Sequence, residues 1–83
     1  MERTAVLNGV IKIAADVFTA DPATIGEETL ILEDLEADSL ARVEFLMALE
    51  DEFDLVIEEE IASQAQTIGK VTDLVVEHLG ANA

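Results

Sequence analysis

The run Asp38-Ser39-Leu40 places a serine where its type and setting invite chemistry. It lies in the segment Glu33-Asp34-Leu35-Glu36-Ala37-Asp38-Ser39-Leu40-Ala41-Arg42-Val43-Glu44, and residues 33–60 hold twelve Asp and Glu side chains against one basic residue, Arg42. A serine hydroxyl is a weak nucleophile and needs a base within hydrogen-bond reach. The only histidine, His78, sits near the other end of the chain among residues of no catalytic pattern, and no Gly-x-Ser-x-Gly elbow surrounds Ser39. A self-contained hydrolase is therefore disfavoured, and His78 is read as a structural histidine. Ser39 is then either a plain helix-start serine, a position where Asp and Ser are both favoured, or a residue that another enzyme modifies.

A metal reading also has to be met. Asp34, Glu36 and Asp38 alternate as in a calcium-binding EF-hand loop. That loop requires glycine at its sixth position and a bidentate glutamate at its twelfth, where this chain has Ser39 and Phe45. No EF-hand is expected and no specific metal ligand is assigned; loosely bound divalent ions relieving the charge are compatible with the composition.

The elements that must position Ser39 follow from periodicity. Val6, Val10, Ile13, Ala14, Val17 and Phe18 recur at spacings of three and four, which predicts a helix over residues 4–18 stopped by Asp21-Pro22. Residues 19–37 read as a long loop pinned by Ile25, Leu30, Leu32 and Leu35. A second helix is predicted from residue 38 or 39 to about 54. The Asp38 carboxylate is placed to accept from the amide of Leu40 or Ala41. This helix carries two apolar stripes: Phe45, Leu46, Leu49 and Phe53 form one, and Leu40, Val43 and Met47 the other. One suffices for a core; the other is either a further core contact or an exposed ridge flanked by Glu44, Glu50 and Asp51. A short helix over 58–64, with Ile57 and Ile61 inward, precedes a last helix over 67–79. Ile68, Val71, Leu74, Val75 and Leu79 form the buried face of that helix and Gly80 its stop. The expected class is all-α, a single domain over 1–83 built as a bundle of three long helices and one short.

Composition narrows the partners. The chain has 83 residues, 51% of them apolar, with 19 acidic and 4 basic side chains and a net charge of −15. The apolar content argues for a folded domain over an acidic tail, and the charge argues against nucleic acid and anionic membranes. Proteins bearing Lys and Arg patches would be steered to such a surface. There is no cysteine, hence no thiol of the chain's own. No run of 18 or more apolar residues is present and residues 1–4 do not resemble a signal peptide, so a cytoplasmic protein is expected. It is expected to act as a monomer.

The residues Leu32-Glu33-Asp34-Leu35-Glu36-Ala37-Asp38-Ser39-Leu40, with Val43-Glu44, Met47-Ala48-Leu49-Glu50 and Glu52-Phe53, resemble the prosthetic-group site of acyl carrier proteins. The resemblance spans most of the chain and includes its four-helix layout. It implies that Ser39, flanked by Asp38 and Leu40, carries 4′-phosphopantetheine, donated from coenzyme A by a phosphopantetheinyl transferase (holo-carrier synthase). It implies no catalysis by the chain itself, with the arm's thiol holding acyl intermediates for fatty acid or related lipid biosynthesis. Leu40, Val43, Glu44, Met47, Glu50 and Asp51 become, by the same resemblance, an exposed surface read by basic patches on acyl synthases and transferases. The acyl chain would fold back among side chains such as Phe45, Leu46 and Ile61.

Three positions depart from the family pattern: Glu36 where glycine is usual, Ala41 where an acidic residue is frequent, and Arg42 where a small polar residue is common. They leave open a specialised carrier for polyketide, lipid A or nodulation-type signal synthesis. Peptidyl or aminoacyl carriers, and an unmodified acidic interaction module, are the remaining alternatives.

Overall fold

A computed structural model of the chain describes residues 2–35 and 38–81, with the backbone alone at Ser39 and Ala81. Among these residues the α-helices are α1 (Arg3–Val17), α2 (Ser39–Phe53), α3 (Glu59–Ala62) and α4 (Ile68–Ala81), with a 3-10 turn at Pro22–Thr24 and no strand beyond one isolated bridge. Three long helices and one short are as the sequence predicts.

α1 buries Val6, Val10 and Ala14, one residue per turn, and packs on both α2 and α4. It ends within a residue of the expected position, at Val17 with Phe18 as its cap, but the stop is not Asp21-Pro22. Thr19 turns left-handed at φ 53° and the Ala20 amide donates back to the Ala15 carbonyl at 2.9 Å. That closure satisfies a carbonyl of the last turn. A β-branched residue pays about 1–2 kcal/mol to adopt it, because its Cβ crowds the following carbonyl. Pro22 instead opens the 3-10 turn, capped by Asp21, whose carboxylate accepts from the Ala23 amide at 3.0 Å. α2 ends in the same left-handed way at Asp54, φ 51°, with the Leu55 amide donating to the Glu50 carbonyl at 3.1 Å.

Phe45, Leu49 and Phe53 fill the centre of the bundle with Ile68, Val71 and Val75 of α4. The rings of Phe18 and Phe45 meet tilted, centroids 5.2 Å apart, a favoured aromatic arrangement. α1 meets α2 closely at Gly9, where a Cβ would lie 3.0 Å from the Phe53 ring. Thr72 is fully buried, which its hydroxyl tolerates by donating to the Ile68 carbonyl at 2.8 Å.

The long loop is held differently from the expectation. Ile25 is buried as expected and Leu30 and Leu35 are half-buried, but Leu32 is 51% exposed and the deep anchor is Ile31. The loop's backbone also docks on the start of α4. Leu30 and Thr67 form an antiparallel bridge, the Ile31 amide donates to the Gln66 carbonyl at 3.0 Å, and the Ile68 and Gly69 amides donate to the Thr29 and Glu27 carbonyls at 3.1 and 2.9 Å. Those amides belong to the first turn of α4, which has no intrahelical acceptor for them. The Lys70 amide is taken by the Thr67 hydroxyl at 3.2 Å. The loop thus caps a helix distant in sequence. Gly69 permits the approach, since a Cβ there would lie 3.0 Å from the Glu27 carbonyl oxygen. Arg3 fastens the same junction: Nη2 donates to Glu27 Oε1 at 2.6 Å and Nε to Asp73 Oδ1 at 2.8 Å. The hydrogen bond to Glu27, then that to Asp73, raises the guanidinium pKa above its ordinary value.

At the other end of the chain, Gly80 does not stop α4, which continues through it to Ala81. The expected helix over 58–64 is the single turn α3, with Ile57 buried just before it.

Candidate functional site

Ser39 is the first residue of α2, and the structure shows how that start is built. Asp38 is extended at φ −84° and ψ 179°, and its Oδ1 accepts from the Ala41 amide at 2.7 Å, the capping bond expected from the sequence. Asp34 closes the turn before it, with Oδ2 accepting from the Leu30 amide at 2.8 Å and its own amide donating to the Leu30 carbonyl. Two carboxylates near Ser39 are therefore engaged by backbone amides. Glu36 and Ala37 lie outside the described residues.

The two apolar stripes of α2 separate cleanly. Phe45 and Leu49 are buried, whereas Leu40, Val43 and Met47 are 68%, 41% and 62% exposed. The second stripe is a ridge, and Glu44 and Asp51 beside it are exposed as well. Glu50 also braces the fold, since its Oε2 accepts from the Ile57 amide at 2.9 Å in a part-buried bond that ties α2 to the segment leading into α3. Val56, at 78% exposure, is a further exposed apolar residue that periodicity did not single out.

Beneath the ridge lies a cavity of about 270 Å³. Phe45, Leu46 and Leu49 of α2 form one wall, Ile31 and Ile57 enter from the connecting segments, and Val71 and Leu74 of α4 form the other. Arg42, Glu59 and Ser63 are its polar lining residues, and the partly exposed Val43 joins it to the ridge. Phe45 and Leu46 were expected around an apolar space; Ile61 was also expected there and is not part of it. Ile61 instead borders a separate cleft with Lys70, Asp73 and Glu77, because the single turn of α3 directs Ala62 to the main cavity. Ile31 and Ile57 were missed as lining residues: no helical period relates them to α2, and only the chain's folding back brings them there.

His78 Nδ1 lies 2.8 Å from the Leu74 carbonyl within its own helix, consistent with a structural role. Among the described residues no three acidic or histidine side chains are grouped to hold a metal ion. No helix among them is long and apolar enough to cross a membrane.

An exposed helix start carrying a serine, an apolar ridge edged with carboxylates and an apolar cavity one turn further on form one continuous surface. Residues 8–75 match the family model described as the phosphopantetheine attachment site. The chain is 42% identical over 76 residues to the acyl carrier protein of Phenylobacterium zucineum, covering 92% of this chain and 96% of that one. Solved structures of acyl carrier proteins match it too. That from Thermotoga maritima has a TM-score of 0.83 at 31% identity, covering all of this chain and 96% of its own, and that from Enterococcus faecalis a TM-score of 0.78 at 36% identity, covering 94% and 99%. The chain belongs to the acyl carrier proteins, phosphopantetheine-bearing carriers that are worked on by enzymes and are not enzymes themselves. When attached, 4′-phosphopantetheine supplies the thiol that a chain without cysteine lacks. The residues present fit it: the α2 start is open to solvent at Asp38 and Leu40, and the cavity offers apolar walls to what the arm carries.

Proposed function

We propose that Ser39 is the attachment point of the arm, and that the chain carries acyl intermediates through fatty acid or related lipid biosynthesis. The observation that carries this reading is the place of Ser39: first residue of an exposed, Asp38-capped helix, inside the matched attachment-site region. A serine modified by another enzyme needs no base of its own, which agrees with His78 being bonded within α4. Capping matters to the chemistry as well, since the Asp38 carboxylate held by the Ala41 amide is directed along the helix start. A phosphodiester on Ser39 then meets a helix N-terminus, whose dipole favours an anion. Leu40, Val43 and Met47, edged by Glu44 and Asp51, serve as the contact surface for the transferase and for synthases with basic patches. Apolar contact supplies complementarity there and charge supplies on-rate. Glu50 contributes charge to this surface while also holding the Ile57 amide. The acyl chain occupies the cavity walled by Phe45, Leu46 and Leu49. The setting is cytoplasmic.

Intact mass after incubation with coenzyme A and a broad-specificity phosphopantetheinyl transferase tests the assignment. Wild-type protein should gain the mass of one arm and Ser39→Ala none. No gain by the wild type, or equal gain by Ser39→Ala, would overturn it, the former outcome favouring an unmodified acidic interaction module.

A further inference from the structure

Arg42 is the one cation among the charged residues of 33–60, and it lines the cavity. It follows Ser39 by three positions on α2, so the two residues lie about one helical turn apart along the backbone. Its acidic neighbour one turn back, Asp38, has a carboxylate oxygen bonded to the Ala41 amide, and among the described residues the ion pairs are those of Arg3 alone. We infer that Arg42 pairs with the phosphodiester that joins the arm to Ser39 and so holds the arm over the mouth of the α2–α4 cavity. This rests on attachment at Ser39 and assigns a positioning role to a residue of this chain.

Three physical points converge on it. A phosphodiester at Ser39 follows directly on Asp38, a like charge that opposes it, and Arg42, one turn further along α2, is the cation nearest in sequence. Guanidinium presents paired N–H donors that match two phosphate oxygens, so the contact constrains direction as well as distance. Glu59 borders the same cavity from α3 with the opposite charge. An anion is therefore drawn to the α2 side of the mouth, and the uncharged remainder of the arm faces the apolar interior.

The test uses full-length protein carrying the arm, its loading first verified by mass, as wild type, Arg42→Gln, Arg42→Lys and Arg3→Gln. Arg42→Gln should move the ³¹P resonance of the phosphodiester, whereas Arg3→Gln should leave it in place. With an octanoyl thioester on the arm, Arg42→Gln should speed cleavage by hydroxylamine about two- to fivefold, the range for a partly exposed ion pair. Arg42→Lys should recover most of the protection, and 1 M salt should shrink the difference. In the unmutated protein the Arg42 Nε resonance should shift between the unmodified and arm-bearing forms, a reading independent of any effect of substitution on folding. A loaded arm with unchanged ³¹P, Nε and cleavage rates would overturn the inference while leaving attachment intact. A chain that cannot be loaded at all overturns attachment, and this inference with it.

Discussion

At the scale of single residues, Asp38 shows how one side chain can be both charge and structure. Its carboxylate accepts from the Ala41 amide, so removing it leaves a donor at the helix start without a side-chain partner. Asp38→Ala should lower stability by about 0.5–2 kcal/mol, whereas Asp38→Asn, an equally good cap, should nearly preserve it; urea unfolding of the three proteins measures both. If the two variants behave alike, charge and not capping is what Asp38 contributes. The cap was legible in the sequence because it is a local pattern, a short polar acceptor immediately before a helical apolar period. The bond from the Ile57 amide to Glu50 was not, since it depends on how the chain turns after Asp54.

At the scale of elements, α2 has two faces that the sequence could not rank. Both stripes recur at helical spacing, and only packing against α1 and the rest of the core decides that Leu49 is 1% exposed and Met47 62%. Leu49→Ala should therefore cost about 2–5 kcal/mol of stability, and Met47→Ala should stay within about 0.5 kcal/mol of wild type. Met47→Ala and the charge reversal Glu44→Lys should instead slow turnover by partner synthases, Glu44→Lys mainly through a reduced association rate. Unfolding by Met47→Ala would place that stripe in the core. α3 and the long loop illustrate the opposite limit. A single turn and a pinned loop carry too little periodicity to be read locally, so Ile31 and the displacement of Ile61 emerged from long-range contacts.

For the whole molecule the dominant fact is a net charge of −15 on 83 residues. Self-repulsion opposes compaction, and the only ion pairs among the described residues are the two that Arg3 makes with Glu27 and Asp73. The thermal midpoint should rise as monovalent salt is added at neutral pH, because screening weakens repulsion over the whole surface while weakening only these few attractions. A flat or falling midpoint would show that attraction at the Arg3 junction outweighs the general repulsion.

The sequence by itself determined what is periodic or contiguous: three long helices, the cap at Asp38, the serine that begins α2, and the acidic character of its surroundings. It also carried the resemblance that placed the chain among the acyl carrier proteins, since that motif is contiguous as well. Tertiary structure decided which stripe of α2 faces water, that the segment from Glu27 to Ile31 caps α4, and that Arg42 borders a cavity which Ile61 does not. The physical reason is range. Helix propensity and capping act over one turn, so they are written locally, whereas burial depends on which distant surface arrives, and that is settled only when the whole chain has packed.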